Sequence, residues 1–192
     1  VIKGMLVKTY ASTIYGVDAI TITIEVNVID KGIGYSIVGL PDKAVQESLQ
    51  RIESALSECK FKMKRLKTVI NLAPADIRKE GSGFDLAASG QISEEKLSDF
   101  IFMGELSLDG GLQPVKGALP IAIQARKEGY KGIILPKANA KEAAIVKDLL
   151  VYGVDKLTEV TAFLEGKSTL EPTQMNARDD FYTNLEFLEH RS

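Results

Sequence analysis

Glu80-Gly81-Ser82-Gly83-Phe84-Asp85-Leu86 and, further on, Gly104-Glu105-Leu106-Ser107-Leu108-Asp109-Gly110-Gly111 are the segments on which the reading of this chain turns. The first is a glycine-rich loop running into a short apolar helix, Phe84 to Gly90. Glycines on both sides of Ser82 free the backbone for a tight turn. The second reads as a strand from Ile101 to Leu106, with Asp109-Gly110-Gly111 as a hairpin turn and Leu112 onward as the returning partner. Upstream, Leu66 to Leu72 reads as a strand that Ala73-Pro74-Ala75-Asp76 brings to an end, because proline cannot continue a central ladder.

Outward from this centre the pattern is strand-rich at the start. Ile20, Ile22, Ile24, Val26 and Val28 alternate with Thr21, Thr23, Glu25 and Asn27, which predicts a strand from Asp18 to Ile29 with one buried face. Met5 to Ala11 precedes it, and Gly34 to Gly39 follows a Lys31-Gly32 turn, so a hairpin-rich beginning is expected. Met5 is the expected natural start. Pro41 and Asp42 suit a first helical turn. Val45, Leu49, Ile52, Leu56 and Cys59 then form one apolar stripe, with Lys43, Glu47, Arg51 and Glu58 assigned to solvent. Cys59 continues the stripe and is read as a core residue, not a reactive thiol.

Helices are further predicted over Gly117 to Lys127, over Ala140 to Leu149 with Asn139 as its cap, and over Lys156 to Glu165. Strands are predicted at Ile133 to Leu135 and Leu150 to Val154. The ordered domain is expected to span residues 5–166. Residues 167–192, with Pro172 and scattered charges, read as a linker or tail.

A share of 45% hydrophobic and 26% charged residues in 192 suits a folded single domain. A formal charge of -2 gives no global attraction to nucleic acid, so any such role needs a local patch. One cysteine and one histidine exclude an internal disulfide and a Cys/His zinc cage, which fits a reducing cytoplasm. No apolar run reaches the ~20 residues that span a bilayer, and no membrane role is expected.

Tyr15-Gly16-Val17-Asp18-Ala19, Gly34-Tyr35-Ser36-Ile37-Val38-Gly39-Leu40-Pro41-Asp42, Glu47-Ser48, and the run from Val69 through Ala73-Pro74-Ala75-Asp76-Ile77-Arg78-Lys79-Glu80-Gly81-Ser82 are strings too long for chance. With Phe84-Asp85-Leu86, Ala87-Ala88-Ser89-Gly90, Gly104-Glu105-Leu106 and Asn139-Ala140-Lys141-Glu142-Ala143, they resemble the magnesium-chelatase-like AAA+ proteins of the ComM and YifB type, from Met5 to about Pro172. The resemblance implies an α+β fold of the ribosomal protein S5 domain 2-like kind, a mixed sheet with helices packed mainly on one face. It also implies a bacterial cytoplasmic protein whose N-terminal domain precedes a hexameric ATPase, the whole being similar to helicases that promote DNA branch migration during natural transformation. ATP and Mg are expected for that motor and no cofactor for this stretch. The nearest phosphate-loop string, Gly166-Lys167-Ser168, lacks the first glycine of a Walker A loop, where Thr161 stands.

The two opening segments also resemble the proteolytic domain of Lon-type proteases, whose loop serine is activated by a lysine. Matched loop to loop, the serine position falls on Gly83 and the lysine position on Leu119, so the resemblance implies a scaffold with neither nucleophile nor base. The alternative is a serine-lysine peptidase or other hydrolase using Ser82 with Lys79 or Lys116. A loop serine more commonly caps a helix or closes a turn, and Ser82 is placed to cap the helix holding Phe84 and Asp85. Asp85, readable as a general base or metal ligand, is expected instead to stabilise the helix start or a loop hydrogen bond. The family-motif loop therefore comprises Gly81, Ser82, Gly83 and Asp85, with no catalytic residue assigned.

Lys60, Lys62, Lys64, Arg65 and Lys67, interleaved with Phe61, Met63 and Leu66, form the densest positive ribbon and are the candidates for contact with single-stranded or forked DNA. Read structurally, the same ribbon is a solvated loop whose lysines discourage unwanted sheet pairing, with Phe61 and Met63 anchoring it on the core. The expected partners are the protein's own AAA+ module, further copies in a hexamer, and DNA. Finally, the resemblance implies roughly two more turns of apolar helix between Leu86 and Ala87. Their loss would damage the core, so those residues are expected to exist and to be missing from view.

Overall fold

The computed structural model describes residues 5–61, 66–81, 83–89 and 97–175. Its first half is a four-stranded sheet built from β1 (Met5–Tyr15), β2 (Asp18–Ile29), β3 (Gly34–Val38) and β4 (Lys67–Ala73), in the order β1-β2-β4-β3. β1 and β2 form an antiparallel hairpin turning at Gly16, and β4 runs antiparallel to β2. The alternation read from the sequence sets the faces. Val7, Thr9 and Ala11 lie level with Val26, Ile24 and Ile22, and Ile70 and Leu72 continue the same rows, all buried.

The opening is not three hairpin strands. β3 pairs parallel with β4 and not with β2, because α1 (Lys43–Glu58) carries the chain back across the sheet. Parallel neighbours need such a crossover. Asp42 caps α1 by accepting from the Val45 N–H at 2.7 Å, and Val45, Ile52, Ala55 and Leu56 bury the predicted stripe. Cys59 caps the far end and packs partly buried against the core, as Phe61 does.

The second half is a parallel sheet of β5 (Phe100–Phe102), β8 (Gly132–Pro136) and β9 (Leu150–Val154), with a small hairpin of β6 (Glu105–Leu106) and β7 (Leu112–Gln113). The single strand expected from Ile101 to Leu106 is broken at Met103-Gly104. Gly104 leaves the ladder to pair with the glycine-rich loop: its N–H donates to Gly83 and its carbonyl accepts from Leu86, both at 3.0 Å. α2 (Asp85–Ala88) packs with α1 on the inner face of the four-stranded sheet, where Thr9 Oγ1 donates to the Ala87 carbonyl at 2.8 Å. α3 (Ala118–Lys127) reaches the opposite side of the β1-β2 hairpin, with the ring of Tyr130 just beyond it tilted against Tyr10 at 5.7 Å. α4 (Lys137–Ala143) and α5 (Leu157–Leu164) cover β9, and Phe100, Tyr152 and Phe163 pack ring on ring. The architecture is α+β, as the sequence led us to expect.

Several local expectations are corrected. The chain passes directly from Leu86 to Ala87, so no residues are missing there, and α2 is four residues long with every side chain buried. The helix predicted over Ala140 to Leu149 is α4, which starts at Lys137 and stops at Ala143, and Asn139 lies inside it. Its side chain does not cap; it accepts from Val115 N–H at 2.9 Å and donates to the Val115 carbonyl at 2.8 Å, tying α4 to the segment before α3. Packing also continues past Gly166. Leu170 lies against the core and Thr173 N–H donates to the Val151 carbonyl at 2.7 Å.

Candidate functional site

Several of the strings that carry the family resemblance, around Gly39 to Asp42, Lys79 to Gly81, Gly83 to Leu86 and Gly104 to Leu106, converge on one corner between the two sheets. Gly39 to Asp42, at the end of β3, lies beside Lys79 through main-chain bonds from Lys79 N–H to Leu40 at 3.1 Å and from Asp42 N–H to Lys79 at 2.9 Å. The Asp42 carboxylate accepts from both Val45 N–H and Gly81 N–H, joining the α1 start to the glycine-rich loop. The loop in turn is paired with Gly104.

Two buried charges hold this corner. Asp85 is fully buried, and its carboxylate receives Arg51 Nε at 2.6 Å, Arg51 Nη2 at 3.0 Å and Leu106 N–H at 3.0 Å. A bidentate guanidinium and a main-chain donor answer three of its acceptor sites. Burial pushes the Asp85 carboxyl up to about 6, against the lowering pull of Arg51 and of the Leu106 N–H. The hydrogen bond to Asp85 raises the Arg51 value. Lys79 is also fully buried, and its ammonium donates to the carbonyls of Gly39, at 2.7 Å, and Pro74. Burial lowers its pKa, while Asp76 pulls the other way.

The position matched to a Lon-type nucleophile is a glycine with apolar neighbours. A Cβ on Gly83 would stand 2.9 Å from Met103 Cε and 3.5 Å from Val115 Cγ1, so a side chain there would shift the end of the Met103 side chain and meet an apolar surface. Leu119, at the position of the activating lysine, is half-buried against the core with its N–H on Glu142 at 3.2 Å. Ser82 lies outside the described residues, and the capping role read for it with it; α2 has Phe84 at its N-cap without a side-chain bond. Lys79 is held by carbonyls, and Lys116 is exposed. Gly81 and Gly83 flank Ser82 in the sequence, and the Asp85 carboxylate, read as serving a helix start or a loop hydrogen bond, is bound by Arg51 of α1 and the Leu106 N–H of β6.

Of the basic ribbon, Lys62, Lys64 and Arg65 lie outside the described residues. Lys60, just past α1, and Lys67, the first residue of β4, are exposed, and the Lys31-Gly32 turn packs beside Lys67. Lys31 was missed by the sequence reading because it stands 36 positions from Lys67; only the β2-β4-β3 register brings them together. Gly166-Lys167-Ser168 is the end of α5, not a phosphate loop. Lys167 N–H and Ser168 N–H are turned back onto the Ala162 carbonyl at 2.8 and 3.2 Å. Among the described residues no group of three or more His, Cys, Asp or Glu side chains is placed to hold a metal ion, and no helix is long and apolar enough to cross a membrane.

Residues 24–139 match the family described as subunit ChlI of Mg-chelatase. The chain is 40% identical over 172 residues to the competence protein ComM of Haemophilus influenzae, covering 86% of this chain and 34% of that protein. It is 42% identical over 164 residues to the YifB protein of Escherichia coli, covering 81% of this chain and 32% of that protein. A shorter likeness, 34% identity over 84 residues, reaches the Lon protease of Treponema pallidum and covers 40% of this chain and 10% of that protein. The chain thus spans about a third of the length of the ComM and YifB relatives. Its long shared strings, its α+β architecture and the match over most of its length agree: the chain belongs to the Mg-chelatase ChlI family, alongside the ComM and YifB proteins.

Proposed function

We propose that this chain is a non-catalytic N-terminal accessory domain of a ComM/YifB-type AAA+ ATPase in the bacterial cytoplasm. In that reading the intact protein is a hexameric, ATP- and Mg-dependent DNA branch-migration helicase, and this domain serves assembly or guidance beside the motor. The observation that carries the proposal is the Gly83 position, which has no side chain to act as a nucleophile and faces the apolar Met103 and Val115. Burial of both Lys79 and Asp85 with internal partners supports the same reading, since neither offers a free group to a substrate. The test is a fluorogenic peptide panel incubated with the full chain and with Ser82→Ala. No turnover above buffer is expected from either; turnover that disappears in Ser82→Ala would replace this reading with a Lon-like hydrolase.

A second role, contact with single-stranded or forked DNA, is favoured by the approach of the Lys31-Gly32 turn to Lys67 at one end of the sheet, with Lys60 also exposed. Each phosphate contact releases counterions, so binding of labelled forked DNA should weaken steeply with salt. Reversing Lys60 and Lys67 to Glu should weaken it at least about tenfold in low salt. Equal binding by that variant would remove the ribbon from the account.

A further inference from the structure

We propose that the open edge of β3 is a self-association surface, on which a second copy of this chain pairs its own β3 antiparallel across a two-fold axis at Ser36. Among the described residues β3 is the last strand on its side of the sheet. Edge strands are commonly blunted by charge or proline. Gly34-Tyr35-Ser36-Ile37-Val38 has neither.

Aliphatic side chains stand exposed at both ends of this uncharged edge. Ile33 is 78% exposed before the strand, and Val38 and Leu40 are 47% and 54% exposed at and after its end. Leu40 is held there at a cost. Its φ is 55°, a left-handed conformation that leucine rarely adopts. Gly39 before it has φ 101°, and a Cβ there would stand 2.1 Å from the Leu72 carbonyl oxygen. The turn is fixed from behind by the buried Lys79 ammonium on the Gly39 carbonyl and by the Leu40-Lys79-Asp42 main-chain bonds. A strained, braced loop that presents an aliphatic side chain to water points to a contact made outside the chain.

The edge is complementary to itself. With the axis at Ser36, the Val38 of one copy lies opposite Gly34 of the other, and Ile33 comes alongside Gly39, between Val38 and Leu40. Ser36, Val38 and Gly34 lie in the rows of Val69, Asn71 and Lys67, so the paired strands extend one continuous outer face. Within residues 33–39 no charged side chain meets a like charge. A pairing of five residues with three aliphatics from each copy is small against the ~1,200 Å² of a stable interface, so the pair is weak and depends on concentration. It is an isologous contact, distinct from the head-to-tail contacts that close a ring.

The test is sedimentation velocity of the full chain from about 1 μM to about 1 mM. A monomer-dimer shift is expected. Ser36→Lys places two lysines directly opposite each other and should weaken association at least about tenfold while the circular dichroism spectrum is unchanged. Mixing Ser36→Lys with Ser36→Glu should restore it. Ile33→Lys, outside the ladder, should also weaken association, and provides the same comparison if position 36 disturbs folding. A chain that stays monomeric throughout, or a dimer insensitive to both lysine variants or not rescued by the charge-swapped mixture, overturns the proposal.

Discussion

Asp85 and Arg51 are 34 residues apart and tie α1 to α2 and β6 through one buried carboxylate. The apolar stripe of α1 left Arg51 on the solvent side in the sequence reading. Its side chain is 18% exposed and turned inward, because a carboxylate with no water must find a cation. The Asp85 value of about 6 lies above the ordinary 3.8, so the folded chain holds this proton more tightly than the unfolded chain. Stability from this group is therefore greatest at low pH, falls as pH rises from about 4 to about 6, and is level above that. Arg51→Ala leaves the ionised carboxylate without its cation, and should cost about 3 kcal/mol at pH 7.5 by urea unfolding. At pH 5, where Asp85 is mostly protonated, the loss should be clearly smaller. An equal loss at both values would show that the pair does not titrate as described.

At the scale of elements, what was legible was local. β2 occupies Asp18–Ile29 as its alternation predicted, and α1 follows its apolar stripe, although Pro41 and Asp42, read into its first turn, precede it, with Asp42 as the cap. The pairing of β3 with β4 was not legible, since periodicity states which face of a strand is buried and not which strand lies beside it. The break at Gly104 was hidden for a related reason: its partners are Gly83 in the loop and Leu86 in α2, not residues of a strand. Asn139 has the composition of a cap, yet the Val115 main chain claims its side chain from inside α4. Loop glycines separate on the same ground. Gly39→Ala brings a methyl against the Leu72 carbonyl at positive φ and should destabilise by about 3 kcal/mol or more. Gly16→Ala, at φ 67° with open space around it, should cost about 1 kcal/mol. Thermal unfolding of the two variants side by side checks this; equal losses would mean that the close approach at Gly39 does not shape the turn.

For the whole molecule, the family was readable from strings of sequence, and the structure supplies what those strings do. Several of them meet at one corner, where Asp42, Lys79, Asp85 and the Gly83-Gly104-Leu86 bonds knit the two sheets together. Such residues stand out in sequence for the same reason catalytic ones do: each is a polar or glycine position whose surroundings tolerate few replacements. The site was therefore legible as a place, while its chemistry depended on partners distant in the chain. The most direct measurement of the central proposal is intact mass spectrometry of the full chain after exposure to a serine-reactive fluorophosphonate. The account predicts no adduct, because the position matched to the nucleophile is Gly83, which carries no reactive side chain. A stoichiometric adduct on Ser82 would contradict it.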